Sequence, residues 1–401
     1  MRSEGNWTGI LFGLGLAVFA AYTQFKLPPV LPEMLGLFGY DRIVAGGFVA
    51  VYAVAGLLLS LKIGGLMQRH GTLPYLYGAF ACIGAGTSLA LLLPEWQWIV
   101  LLARAAEGVG FAVLAVAGPA LCTAHAGPRG LALASGLIAM WMPLGALVAN
   151  GLALSLAVPF GWSSLWWAGL AGTLGMLFWT AALARRGGIV APGAHDMSAD
   201  PAPEPTAWQR RAIVVAAILF MVWNTEVFAW MSWLPAFMVE AHGLSESDAM
   251  LAYLLPMVTI GIFNLVGARI LRTGMPVALL FSLSLLVQIA GWMLLPVLHG
   301  WPLVALLLVF GAATGISPTC LYAMPGTIFG TRHAGTRAFG ILMTGRNLGV
   351  LSGPLLLGAL VPHPDDWRMA GMVFAGVSAL AAIGGIYLHR ILSRNRIAAE
   401  A

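Results

Sequence analysis

Twelve stretches of mostly apolar residues follow one another along this chain, separated by short polar connections, and that rhythm constrains its fold more than any other feature. A hydrocarbon layer about 30 Å thick is crossed by about 20 helical residues. The stretches fall at 8–32, 43–62, 73–93, 97–121, 131–157, 163–184, 212–236, 249–271, 276–296, 301–323, 337–361 and 367–391. Composition points the same way: hydrophobic residues make up 60% and charged residues 9%, whereas a soluble domain carries about 25% charged residues. Too few polar groups exist to cover a soluble surface, and the chain is too apolar to be disordered. The expectation is an all-α membrane protein of twelve transmembrane helices.

The remaining counts exclude several function classes. Fifty glycines and 23 prolines suit a membrane bundle, where small residues let backbones approach and neighbouring groups re-satisfy carbonyls freed at proline. Cys82, Cys122 and Cys320 lie in apolar segments without CxxC spacing. The eight histidines (His70, His125, His195, His242, His299, His333, His363, His389) sit at loops or helix ends without an HExxH. Neither a disulfide framework nor a metal site is expected. No nucleophile–base pair is evident, so neither an enzyme nor a cofactor is expected. The net charge of +5 is spread over loops rather than gathered in a stripe, which argues against nucleic acid. The first apolar run is too long for a signal-peptide core and reads as the first span.

With the N-terminus inside, fifteen Lys and Arg side chains fall in cytoplasmic segments and two, Arg42 and Arg368, in outer loops. That bias expects both termini in the cytoplasm and a multi-pass protein of the inner membrane. The one long connection, 185–211, is rich in Pro, Ala and Asp and reads as a cytoplasmic linker between halves 1–184 and 212–401. The halves repeat each other. Gly64-Gly-Leu-Met-Gln-Arg69-His-Gly71 matches Gly267-Ala-Arg-Ile-Leu-Arg272-Thr-Gly274 as G-x4-R-x-G. Ala126-Gly-Pro-Arg129 matches Ala334-Gly-Thr-Arg337, and Pro159-Phe-Gly-Trp162 matches Pro364-Asp-Asp-Trp367. The offsets are close to one another, and each match stands before or after the same span of its half. Two six-helix halves related by a parallel repeat are a layout of secondary transporters.

On these features the chain resembles the Major Facilitator Superfamily over essentially its whole length. The loop signature G-x-L-x-D-R-x-G-R-R is met by Gly64, Leu66, Arg69 and Gly71. Gln68 stands at the acidic position, and Thr72 and Leu73 replace the trailing basic pair. In span 4, Arg104-Ala-Ala-Glu107-Gly108-Val-Gly110 is similar to the family's R-x-x-x-G-x-G. Span 5 holds Trp141-Met-Pro143-Leu-Gly145 without the Gly-Pro pair of the antiporters. Lys26-Leu-Pro28-Pro29-Val-Leu-Pro32-Glu33 is similar to the cyanate and nitroimidazole permease group. The resemblance implies a cavity lined by helices 1, 4, 7 and 10, and gating at the loops of Gly64, Arg69 and Gly71 and of Gly267, Arg272 and Gly274.

Five charges lie within spans: Lys26, Arg104, Glu107, Glu226 and Arg346. Each costs about 2.5 kcal/mol or more at mid-bilayer, so each should face a partner or a wet cavity. At 1.5 Å per residue, Lys26 and Arg104 reach similar heights, and Arg104 and Glu107 share a helix face. The substrate-binding candidates are Lys26, Gln24, Tyr22, Arg104, Arg346 and Asn347, since Arg and Lys favour an anion. Glu226 and Glu107 are the candidates for the proton. Structural roles stand beside these: an Arg104–Glu107 ion pair, a snorkelling Lys26, or a Glu226–Lys26 latch. Trp96, Trp98, Trp162, Trp166, Trp167, Trp301 and Trp367 read mostly as interface belts. Trp141, Trp223, Trp230 and Tyr253 read as deeper, chiefly packing residues.

The expectation is a proton-coupled secondary transporter of a small organic or inorganic anion, working by alternating access, and functional as a monomer in the bilayer. The alternatives are a drug/proton efflux antiporter, which requires an aromatic and Met pocket with an unpaired acid, and a non-transporting assembly or sensor protein on the same scaffold.

Overall fold

The computed structural model describes residues 6–187, 204–244, 246–331, 334–361 and 366–400. Most of the 185–211 linker lies outside them, as do Arg2, His195, Arg332, His333, His363 and the Pro364-Asp365 part of the third repeat match. The described residues form twelve long helical segments: α1 (Trp7–Val30, continued by the short helix Leu31–Phe38), α2 (Arg42–His70), α3 (Leu73–Leu92), α4 (Gln97–Gly127), α5 (Arg129–Ala157), α6 (Ser163–Arg185), α7 (Ala207–Glu240), α8 (Glu246–Leu271), α9 (Val277–Leu294), α10 (Trp301–Phe329), α11 (Thr336–Leu360) and α12 (Trp367–Glu400). Among the described residues, nine of these are long and apolar enough to cross a membrane, and α2 makes a tenth if its pieces Ala50–Ser60 and Lys62–His70, bent by 52°, count as one span. The other two depart for visible reasons. The apolar part of α8 is only Leu255–Leu271, and α11 carries Arg337 and Arg346.

Local chemistry sets the helix ends. The Asn6 side chain accepts from the amides of Thr8 and Gly9 and caps α1. Thr206 and Gln209 form a capping box at α7, which satisfies orphan amides at that end. Gly127, with φ of 64°, followed by a proline without an amide proton, separates α4 from α5. The repeat glycines Gly71 and Gly274 both take left-handed φ, 84° and 90°, a conformation costly for any residue with a Cβ. That shared requirement is the physical content of the G-x4-R-x-G match.

The chain forms two compact units. Unit one holds residues up to Pro128, Met140–Pro203 and Thr331–Thr344; unit two holds Arg129–Ala139, Glu204–Gly330 and Gly345–Ala401. The first turns of α5 therefore belong to unit two, and those of α11 to unit one. Each insertion uses a close glycine contact. In unit one, Gly340 of α11 lies against Gly64 and the Ser60 carbonyl of α2, and Thr336 Oγ1 donates to the Gly64 carbonyl at 2.8 Å. In unit two, Gly136 of α5 lies against Ala268 and the Asn264 carbonyl of α8. Small residues permit such backbone approach. In both cases the first turns of a half's fifth helix meet the end of a second helix, so the repeat seen in sequence recurs as a packing motif.

Aromatic cores fill the units. Unit one packs Phe48, Trp162, Leu165 and Trp166 together; unit two packs Trp230, Phe237, Trp292, Phe310, Trp367 and Phe374. This corrects the belt assignment for Trp162, Trp166 and Trp367, which are buried, while Trp96, Trp98, Trp167 and Trp301 are exposed. The buried three find aromatic neighbours in the interior, where their large apolar area is better placed than at an interface. Trp141, Trp223 and Trp230 are also buried; the Tyr253 side chain is outside the described residues.

Candidate functional site

In unit one, α1 breaks at Lys26. Pro28 and Pro29 have no amide proton to return to the carbonyls of Gln24 and Phe25, four residues back. Arg104 of α4 replaces the donor missing at Gln24, its Nη2 donating to that carbonyl at 3.1 Å, and also donates from Nη1 to the Thr23 carbonyl at 2.8 Å and from Nε to the Phe48 carbonyl of α2 at 3.2 Å. A guanidinium presents several donors in a rigid fork, so one side chain caps a broken helix and ties it to two others.

Glu107, one turn along α4, collects the remaining charge. Its Oε1 accepts from Lys26 Nζ at 2.7 Å and from Thr87 Oγ1 of α3 at 2.6 Å. Its Oε2 accepts from Arg104 Nη1 at 2.6 Å and lies 2.9 Å from the Tyr52 hydroxyl, whose single proton is shared with the Thr23 carbonyl. The Lys26 ammonium sits 4.8 Å from the Trp166 ring centre, and the Arg104 guanidinium 4.4 Å from that of Tyr52. Lys26, Arg104 and Glu107 are all 0% exposed. The cluster carries two positive charges and one negative. Every lone pair of the carboxylate directed at a neighbour is in use, which leaves Glu107 poorly placed to load a proton.

The structure thus brings together Lys26, Arg104 and Glu107, adds Tyr52, Thr87 and Trp166, and holds Lys26 buried on Glu107 rather than snorkelling to an interface. Of the neutral candidates, the Tyr22 hydroxyl donates to the Leu165 carbonyl at 2.6 Å. Gln24 is buried with Oε1 unpartnered. Tyr52 and Thr87 escaped notice in the sequence because helices 2 and 3 were not expected to line a cavity. Their signal was a polar group inside an apolar run, which also describes many residues that bond only their own helix.

Unit two holds the other two charges. Arg346 of α11 is 3% exposed; its Nη1 donates to Asn347 Oδ1 at 3.0 Å, the Tyr322 hydroxyl is a further partner, and the guanidinium lies 5.8 Å from the Phe228 ring centre. Glu226 of α7 is 1% exposed. Its Oε2 accepts from Ser378 Oγ of α12 at 2.7 Å, while Oε1 is buried without a partner. The two carboxylates therefore differ in kind: Glu107 is enclosed by donors, two of them cationic, and Glu226 is held by one neutral hydroxyl.

Of the gating candidates, Gly64 makes the α2–α11 approach described above. Gly267 instead packs α8 on α10, near Ile316 and Thr319. Gly71 and Gly274 turn the chain, and Arg69 and Arg272 are exposed. A narrow cleft in unit two is lined by Trp230, Trp233, Phe237, Trp292, Trp367 and their neighbours, with a free volume of about 20 Å³, room for little more than one water. The indole nitrogens of Trp230 and Trp292 have no partner, and that of Trp367 donates to Glu240 Oε2 at 3.0 Å.

Beyond the end of α7, His242 Nε2 faces the Leu295 carbonyl at 3.1 Å and Nδ1 lies 3.0 Å from His299 Nδ1. A carbonyl only accepts, so His242 carries its proton on Nε2 and accepts from His299 at Nδ1. Burial first, and His299 second, hold the His242 ring below its ordinary value of 6.5, against a smaller opposing effect of the Leu295 carbonyl. The unfolded chain therefore binds this proton more readily than the folded one. Stability at this edge is full above pH of about 6.5 and falls as the pH drops below it. Hydrogen exchange, corrected for its intrinsic pH dependence, is expected to be faster around His242 and His299 at pH about 5.5 than at about 7.5. A His299→Gln variant, whose amide can donate to Nδ1 without titrating, should show a smaller rise; equal protection of wild type at both pH values would refute the assignment.

The sequence matches the family model described as Major Facilitator Superfamily over residues 12–337 and again over 278–398. No curated protein matches it. Among solved structures, the fold is similar to the human organic anion transporter MFSD10 (TETRAN), with a TM-score of 0.74 at 14% identity, covering 94% of this chain and 99% of that one. It is similar to a bacterial homologue of the iron transporter ferroportin, with a TM-score of 0.72 at 17% identity, covering 95% and 98%. It is also similar to the E. coli fucose:proton symporter FucP, with a TM-score of 0.69 at 15% identity, covering 94% and 98%. At these identities the likeness is one of fold. The family match spans nearly the whole chain, and with the helical architecture it establishes that this protein belongs to the Major Facilitator Superfamily, as a multi-pass membrane transporter and not an enzyme.

Proposed function

We propose that the chain is a proton-coupled secondary transporter of a small organic or inorganic anion, acting across the inner membrane by alternating access with both termini cytoplasmic. Residues 1–184 and 212–401 serve as its two halves and 185–211 as their linker. One observation carries the reading: the buried charges among the described residues are Lys26, Arg104 and Arg346 against Glu107 and Glu226, an excess of one positive charge in a setting where each charge is expensive. An anionic substrate is the complement that such an interior accepts. Arg346 and Asn347 are assigned to the substrate, with Gln24, Tyr22 and the Lys26–Arg104 pair as further contacts. Glu226 is assigned to the coupling proton. The organic anion transporter and the fucose:proton symporter among the fold relatives are compatible with both halves of the proposal.

A second reading, efflux of lipophilic cations, draws on the tryptophan faces gathered in unit two, since cations bind aromatic faces. Thermal stabilisation of the purified protein by a panel of mono- and dicarboxylates, cyanate, nitrate, aromatic acids and lipophilic cations separates the two. A ligand at 100 times its Kd adds about 2.7 kcal/mol to the folded state. One anion class is expected to raise the melting temperature of wild type and to lose most of that effect on Arg346→Gln, each protein being compared with its own ligand-free value. Stabilisation by lipophilic cations alone would sink the anion reading in favour of efflux.

A further inference from the structure

We propose that Ser378 on α12 is a positioning residue for Glu226: it holds Oε2 by a hydrogen bond, so that the coupling proton is taken up and released at Oε1. The proposal builds on the assignment of Glu226 as the coupling acid.

The geometry makes the two carboxylate oxygens unequal. Ser378 is fully buried and its hydroxyl donates to Oε2 at 2.7 Å, while Oε1 is buried with no partner at all. A serine or threonine inside a helix ordinarily returns its proton to the carbonyl four residues back. This chain does so at Thr173, Thr225 and Thr344, which donate to the carbonyls of Gly169, Met221 and Gly340 at 2.8–2.9 Å. Ser378 has one proton and gives it to Glu226 instead. A proton arriving at Oε2 would set O–H against O–H and force the serine to turn away. A proton arriving at Oε1 forms its O–H bond there with nothing to displace, and leaves from the same atom; Oε2 becomes the carbonyl oxygen and keeps its donor.

The surroundings add no competing charge. On α7 itself, Asn224 donates to the Phe220 carbonyl. From α11, Gly349 and Gly353 approach α7, and Ser352 Oγ pairs with Thr225 Oγ1 at 2.9 Å. From α12, Gly384 meets Leu219. Among the described residues no charged side chain stands within ion-pair distance of Glu226, and Arg346 on α11 donates to Asn347. A neutral hydroxyl is therefore the one group that distinguishes Oε1 from Oε2.

The test is an infrared difference spectrum, acid minus alkaline, of the purified full chain in lipid bilayers. A protonated carboxyl shows a C=O stretch, and accepting a hydrogen bond lowers its wavenumber. The Glu226 band is identified as the one lost in Glu226→Gln. It is expected to move to higher wavenumber in Ser378→Ala and to stay at the wild-type position in Ser378→Thr, which keeps the hydroxyl. Ser378→Gly repeats the deletion should the alanine variant fail to purify. A Glu226 band that stays put without the hydroxyl overturns the role of Ser378 and leaves the coupling acid in place. If Glu226→Gln removes no band, the coupling acid is misassigned and the proposal falls with it.

Discussion

Glu107→Ala is expected to destabilise the protein by about 3–5 kcal/mol, the cost of removing one partner from a buried ion pair. It leaves Lys26 and Arg104, both 0% exposed, as neighbouring positive charges with no counter-ion. It also takes the acceptor from Thr87 and from Arg104 Nη1. Lys26→Met is expected to cost far less, about 1 kcal/mol or under, because an apolar stem replaces the ammonium against Trp166 and Arg104–Glu107 remains as a neutral pair. Arg104→Lys should lie nearer to Glu107→Ala: a single ammonium cannot reproduce donation to the Gln24, Thr23 and Phe48 carbonyls in addition to Glu107. Unfolding of the purified variants in one detergent, by circular dichroism against temperature, gives the order. Equal and small losses for all three would mean that the network does not hold the broken α1 to α2 and α4. Transport measured on Lys26→Met then separates roles, since a structural lysine can be replaced and a substrate ligand cannot.

The elements that sequence made legible are those governed by local rules. The apolar runs, the boundary between spans 4 and 5, the repeated G-x4-R-x-G and the one-turn spacing of Arg104 and Glu107 all follow from neighbours in the chain, whereas the break at Pro28-Pro29 falls inside the run read as one span, 8–32. What stayed hidden is decided between helices. Thr87 and Ser378 reach across to carboxylates, whereas Thr225 and Thr344 bond their own backbone; in sequence all four are hydroxyls within apolar runs. The pairing of Lys26 with Glu107 spans 81 residues, and equal height in the membrane does not specify which rotamers meet. Trp166 stands where an interface belt would in the sequence, yet its ring is buried, packed edge-to-face with Trp162 and lying against the Lys26 ammonium. The passage of the first turns of α5 and α11 into the other compact unit likewise has no local signature. It depends on a glycine meeting another small residue far along the chain, Gly340 with Gly64 and Gly136 with Ala268.

Glu226→Gln is expected to abolish proton-driven accumulation while leaving a folded protein that still exchanges substrate. The amide oxygen of Gln can accept from Ser378 as Oε2 does, and the change puts no new charge into the interior, so the melting temperature should fall little or rise. What is lost is a site that alternates between charged and neutral. One proton moving with one monovalent anion carries no net charge, so its driving force is the pH gradient alone: about 1.4 kcal/mol per pH unit, or tenfold accumulation. Proteoliposomes with a gradient of one unit, supplied with the anion class identified by stabilisation, should concentrate it about tenfold through wild type and not at all through Glu226→Gln. Counterflow between labelled and unlabelled anion should persist in both. Glu107 provides the contrast, for its carboxylate already accepts from Lys26, Thr87 and Arg104, and its removal should reduce folded yield rather than uncouple. Tenfold accumulation by Glu226→Gln would move the proton to another group. Loss of counterflow together with accumulation would make Glu226 a residue needed for substrate movement itself, and not for its coupling.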